Sequence, residues 1–149
     1  MTTTPPALPR PLPRNPNLDT RPFWQAARDH RLVYQRCRAC DTVIFYPRGH
    51  CTACTGIDLG WHESAGTGTV YTCSVVRRPL HPAFTDLIPY SVAWVDLDEG
   101  FRMLTHIVDP AGRPITSHIG QRVTVHWLDV EDVTLPAFTP AAQQPTEDR

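Results

Sequence analysis

Lysine is missing from this chain, and all 14 basic residues are arginine. That absence removes whole chemistries. A Schiff base on a substrate carbonyl or on pyridoxal phosphate needs a lysine amine, and a Walker-type phosphate loop needs its lysine too. Serine is scarce: Ser64, Ser74, Ser91 and Ser117 are all there are, and none stands in a G-x-S-x-G elbow. No H-E-x-x-H, G-x-G-x-x-G or EF-hand pattern occurs. No apolar run approaches the length of a membrane span, and the opening MTTTPPALPRPLPR lacks the unbroken apolar stretch of a secretory leader. The formal net charge is −1, so no broad basic field attracts nucleic acid or anionic lipid. These absences predict a cytoplasmic protein with no membrane partner and little use for nucleic acid.

What is present is cysteine in a telling arrangement. Cys37-Arg38-Ala39-Cys40 and Cys51-Thr52-Ala53-Cys54 are two C-x-x-C pairs with ten residues between them. Each such turn puts two sulfurs on one side, with backbone N–H groups able to steady their negative charge. Two turns facing each other give four thiolates around one point, a closed tetrahedral shell that leaves no open position for substrate. Cys37, Cys40, Cys51 and Cys54 are therefore the expected ligands of one structural zinc, which replaces a core that so short a segment cannot build. Two disulfides are the competing reading, and a reducing compartment disfavours them. His50 adjoins Cys51 and reads as a surface residue beside the site. Cys73, the fifth cysteine, falls in an expected strand as a small buried side chain, with a reactive thiol as the alternative.

The chain divides by composition. Residues 1–19 hold six prolines and read as a flexible Pro-rich arm, either disordered or ordered on a partner. Residues 20–60 read as a helix plus the zinc ribbon: Thr20 is placed to cap a helix that starts near Pro22 and gathers Phe23, Trp24 and Ala27 on one face. Residues 61–140 alternate as strands do, at 61–64, 68–78, 90–97, 101–108 and 122–130, with Asp98-Glu99-Gly100 as a tight hairpin turn. Some five strands without an intervening helix predict a small closed or partly closed barrel. Residues 141–149 form a polar tail. The expected fold is mainly β: an N-terminal helix, a rubredoxin-like ribbon, then a β-barrel.

A catalytic constellation is not visible, and no catalytic residue is assigned. His106 and His126 fall inside apolar strands, where a structural role is the simpler reading. His81 sits in a loop without a visible partner. Arg77 and Arg78 end a strand next to Pro79-Leu80-His81-Pro82; they suit a phosphate or are plain surface arginines. Phe84, Leu87, Ile88 and Tyr90 fit an interface, a tunnel or the core.

The order of motifs carries a resemblance. Pro22-Phe23-Trp24 is followed by Leu32-Val33-Tyr34-Gln35-Arg36-Cys37, by Tyr46-Pro47-Arg48 and by the second cysteine pair. Then come Gly66-Thr67-Gly68-Thr69-Val70-Tyr71-Thr72, Ile88-Pro89-Tyr90, Val95-Asp96-Leu97-Asp98-Glu99-Gly100, Ile119-Gly120-Gln121-Arg122-Val123 and Leu135-Pro136-Ala137-Phe138-Thr139-Pro140. Over roughly residues 20–140 the chain resembles the bacterial and archaeal acyl-CoA-associated zinc-ribbon/OB-fold family, long catalogued as a domain of unknown function. The resemblance implies an OB-fold for the barrel. It further implies a non-catalytic subunit that supports a thiolase-like or lipid-transfer-protein-type enzyme, a thiolase or a steroid side-chain retro-aldolase, with acyl-CoA at the shared interface. Some relatives of this kind stand beside hotdog-fold hydratases. The chain departs from the pattern in its long arm, and in Ala137 and Thr139, where the closing motif often carries arginine. An independent acyl-CoA enzyme using His81 or Cys73, and a zinc-ribbon/OB single-stranded nucleic-acid binder, are the alternatives.

Overall fold

The computed structural model describes residues 9–142. One helix, α1 (Arg21–Arg28), precedes eight strands: β1 (Val33–Cys37), β2 (Val43–Ile44), β3 (Leu59–Glu63), β4 (Thr67–Val76), β5 (Tyr90–Leu97), β6 (Arg102–Ile107), β7 (Arg122–Val130) and β8 (Val133–Pro140). A short 3-10 helix, Pro82–Leu87, lies between β4 and β5. The first three strands form a sheet in the order β2-β1-β3, and the last five close into a barrel in the order β4-β5-β6-β8-β7. The mainly β fold expected from sequence, with ribbon and OB-like barrel, is the fold observed. No helix among the described residues is long and apolar enough to cross a membrane.

Helix α1 begins where expected, with proline in its first turn, where a missing N–H costs no bond. Thr20 stands at the N-cap position, but its hydroxyl does not cap the helix: it bonds Asn17 Oδ1 at 2.8 Å. Phe23, Ala26 and Ala27 are buried, and the Phe23 ring meets Phe45 edge-on at 5.7 Å. The helix packs against both β1 and β8, so it joins ribbon and barrel.

The barrel interior follows from alternation. Ala93, Val95 and Leu97 of β5, Met103 and Ile107 of β6, Val70, Val123 and Phe138 are buried together. The same cluster takes in Phe23, Leu32, Val33 and Tyr34, so ribbon and barrel share one core. Phe101 is the junction: Tyr34 stacks on it at 5.1 Å and Phe45 lies 4.8 Å away. The boundary drawn between residues 60 and 61 falls inside β3.

Two strand assignments from sequence need correction. The strand at 61–64, expected to open the barrel, is β3, and it pairs with β1 in the ribbon sheet. The fifth barrel strand is β8, which Pro136 and Pro140 conceal. Pro136 is tolerated because its carbonyl accepts the Thr105 hydroxyl of β6 at 3.4 Å, so residue 136 turns its backbone away from β7 and the β7–β8 ladder loses no bond.

Residues 1–8 of the expected arm and 143–149 of the tail lie outside the described residues. Within the described part of the arm, Arg14 bonds Asp132 at 2.9 Å and also pairs with Glu131, both at the turn between β7 and β8.

Candidate metal centre

The two cysteine turns are built alike. In the first, the Asp41 N–H bonds the Cys37 carbonyl at 2.9 Å and the Cys37 N–H bonds the Thr42 carbonyl at 3.0 Å. In the second, the Thr55 N–H bonds the Cys51 carbonyl at 3.1 Å and the Cys51 N–H bonds the Gly56 carbonyl at 2.8 Å. The residue after each second cysteine, Asp41 or Thr55, takes a left-handed conformation, with φ of 63° and 62°. This repeat turns both sulfurs of each pair inward.

Buried Gln35 fixes the approach to the second turn. Its side-chain amide accepts the Arg48 N–H at 2.8 Å and donates to the Arg48 carbonyl at 3.0 Å, tying the strand that ends in Cys37 to the segment entering Cys51. Cys37 and Cys51 are buried, while Cys40 and Cys54 face solvent.

The sulfurs converge. Cys37 Sγ lies 3.6 Å from Cys54 Sγ, Cys40 Sγ lies 3.5 Å from Cys51 Sγ, and all four fall within 4.8 Å of one another. A disulfide would need about 2.05 Å. A tetrahedral ion with bonds of about 2.3 Å places its sulfurs about 3.8 Å apart, which this spacing meets. The electrostatics fit the same ion. The Thr42 hydroxyl and backbone, with help from Cys51 and Cys54, pull the Cys40 thiol down to about 6. The backbone N–H groups of Cys54 and Ala53 lower Cys51 as well. At Cys54 the Gly56 N–H pulls down, but the sulfurs of Cys40, Cys37 and Cys51 outweigh it and push the thiol up to about 12. Crowded thiols resist joint ionisation unless a cation sits among them. Four soft donors and no open position suit structural zinc.

The other residues singled out in the sequence lie elsewhere. Cys73 donates from β4 to the Ser117 carbonyl at 3.3 Å. His81 accepts the Ala83 N–H at 3.2 Å and so starts the 3-10 helix. His106 packs on Tyr90 at 5.2 Å, and its pKa is lowered by burial and by nearby Arg10. His126 pairs with Ala137 across β7 and β8. His50, Arg77 and Arg78 are exposed. Among the described residues, the four cysteines are the one cluster of metal-ligating side chains. Thr42, whose Oγ1 stands 3.2 Å from Cys40 Sγ, was missed in the sequence; a hydroxyl two residues past a ligand cysteine was the available signal.

A family model for the ChsH2 rubredoxin-like zinc ribbon domain matches residues 24–58, and one for the ChsH2 C-terminal OB-fold domain matches residues 61–128. The chain belongs to this ChsH2/DUF35 family. The probable enoyl-CoA hydratase alpha subunit of Thermomonospora curvata is 44% identical to it over 124 residues, 82% of this chain and 38% of that protein. The chain thus spans about two fifths of that relative. A DUF35 domain-containing scaffold protein of Methanothermobacter thermautotrophicus is 35% identical over 104 residues, 69% of this chain and 76% of that protein. Among solved structures, the Ltp2-ChsH2(DUF35) aldolase contains a chain that superposes with a TM-score of 0.75 at 40% identity, over 89% of this chain and all of that one.

Proposed function

We propose that this protein is a non-catalytic accessory subunit of a thiolase-like acyl-CoA enzyme, a thiolase or a retro-aldolase, and that Cys37, Cys40, Cys51 and Cys54 hold a structural zinc. The match to the Ltp2-ChsH2(DUF35) aldolase, at 40% identity over the whole matched chain, carries the reading. The chemistry of the chain supports it. The four sulfurs leave no position for substrate at the metal, while His81 starts a turn, His106 packs on Tyr90 and Cys73 bonds a backbone carbonyl. Bound zinc would cross-link the two cysteine turns and hold the ribbon in shape. The ribbon, with β3 in its sheet, and the barrel from β4 onward then act as one rigid body against the enzyme, with acyl-CoA at the shared interface. Free thiols in a metal site suit the reducing cytoplasm.

The test is co-expression with a lipid-transfer-protein-type subunit such as Ltp2. A stable complex is expected, with aldolase turnover falling at least about tenfold when this chain is omitted. Full turnover without it rejects the reading. The name of the Thermomonospora curvata relative favours a second reading, in which the enzyme supported is an enoyl-CoA hydratase. The same omission assay with a hydratase partner decides between the two.

A further inference from the structure

The outer face of the barrel over β4, β5 and β6 carries an apolar patch. Trp94 and Leu104 stand directly opposite each other on β5 and β6, 37% and 45% exposed. Tyr71, at the irregularity in β4 beside Thr72, the partner of Trp94, is 53% exposed. The ribbon extends the patch: the Tyr46 hydroxyl accepts the Leu104 N–H at 3.0 Å, and the Tyr46 side chain stays open to solvent. Isolated exposed apolar residues are ordinary, but a contiguous group drawn from two parts of a fold marks an interaction surface.

Charge decides what fits there. At the lower end Arg102 gives both its hydrogen bonds to Asp96, at 2.5 and 3.0 Å, and lies 3.5 Å over the Tyr71 ring. The cation within the patch is thus already neutralised. At the upper end Tyr90 shares the outward register of Trp94 but is buried, and Phe84 of the β4–β5 loop lies 6.3 Å from it, so that loop borders the face. The loop begins with Arg77 and Arg78, both exposed and without an acidic partner among the described residues. OB barrels often bind oligonucleotides on this face, using aromatic platforms together with a cationic track along the backbone. Here the platform is present, but its own cation is taken by Asp96, and Arg77 and Arg78 stand at one rim.

We propose that this face is where the enzyme subunit docks. The occupant is a protein surface with an aliphatic floor for Trp94 and Leu104 and carboxylates opposite Arg77 and Arg78. The inference rests on the accessory-subunit reading above and adds the surface and its chemistry.

Purified full-length protein titrated with purified Ltp2, as the thiolase-like probe, tests it. Trp94→Ala and Leu104→Ala are expected to weaken binding about 30-fold or more, as central interface anchors do, while Ile57→Ala, exposed beside the second cysteine turn, leaves it unchanged. Circular dichroism and zinc content check that each variant is folded. The double variant R77A/R78A is expected to slow association at low salt and to match the wild type at high salt. If wild type and Trp94 variants bind Ltp2 equally, the face is overturned and the accessory role stands. If the wild type does not bind Ltp2, both fall. Trp94-dependent self-association, or Trp94-dependent retention of a single-stranded oligonucleotide, would assign the face to another occupant and overturn the proposal.

Discussion

Glu99, in the turn between β5 and β6, holds Ser64 at the exit from the ribbon sheet: the Ser64 hydroxyl donates to its Oε2 at 2.9 Å, and the Ala65 N–H donates to its Oε1 at 2.6 Å. Ser64 Oγ in turn accepts the Gly66 N–H at 2.9 Å. One carboxylate thus sets the path by which the chain leaves β3 and enters the barrel. Glu99→Ala should cost about 1–2 kcal/mol, since it removes charge-assisted bonds and leaves the hydroxyl of buried Ser64 without this acceptor. Urea unfolding measures this, and an unchanged midpoint would show that the turn is held by other contacts.

Phe101 carries the larger share of the ribbon–barrel junction. It is buried between Tyr34 and Phe45, both contributed by the ribbon. Phe101→Ala should destabilise by about 3–5 kcal/mol through lost burial and a residual cavity. Zinc loss and barrel unfolding, followed by a chromogenic chelator and by tryptophan fluorescence, should remain coincident in the wild type and separate in the variant. Coincident transitions in the variant would mean that helix α1, packed on β1 and β8, is enough to couple the two parts.

Much of this was legible in the sequence because the signals were local. Two C-x-x-C pairs name a metal site by spacing alone, and Asp98-Glu99-Gly100 forms the hairpin turn it reads as, with Gly100 at a φ of 95°. The failures were long-range. Leu59–Glu63 alternates like any strand, and only its register with Val33–Cys37 assigns it to the ribbon. Val133–Pro140 was hidden by two prolines whose tolerance depends on how loosely β6 and β8 pair, at the single position Ile107 opposite Phe138. Thr20 looked like a helix cap, but nearby Asn17 competes for its hydroxyl.

Gly68 is required by space. A Cβ there would come 2.5 Å from the Asp96 carbonyl oxygen and 2.8 Å from Val95 Cγ1, where β4 runs between β5 and β7. The first neighbour is backbone and cannot swing aside. Gly68→Ala should therefore destabilise by about 1–3 kcal/mol through overpacking, whereas Gly100→Ala, which meets nothing within 4 Å, bears only the strain of its positive φ. Thermal melts of the two variants compare them, and equal losses would count against the crowding at Gly68.

Asp98 gives the barrel a pH dependence. Arg122 donates to it twice, at 2.8 and 2.7 Å, and with Thr67 holds its carboxyl down at about 2. The folded-state value lies below the unfolded one of about 3.9. The contribution is therefore full above about pH 4 and disappears as pH falls through about 2. Both side chains are half exposed, so screening by water keeps it to about 1 kcal/mol or less. Asp98→Asn should lower the urea midpoint at pH 7 and converge with the wild type near pH 2. A gap that persists at pH 2 would point to packing, not charge.

Zinc should be the largest single support of the ribbon. Cys51 is buried and Cys40 exposed, yet each contributes one sulfur to the same closed set, so burial does not decide their importance. Cys40→Ser and Cys51→Ser should both reduce bound zinc from about one ion per chain to near zero, because a three-sulfur set leaves the shell open. A strong chelator should lower the melting temperature of the wild type and leave the two variants unmoved, since they have no ion to lose. Acid should act as the chelator does: the ligands must be deprotonated to bind, so protons compete with the metal as pH falls. Elemental analysis paired with melting curves provides the check. Stoichiometric zinc in Cys40→Ser with an unchanged melt would mean that another group completes the shell, and His50, next to Cys51, is the first to replace.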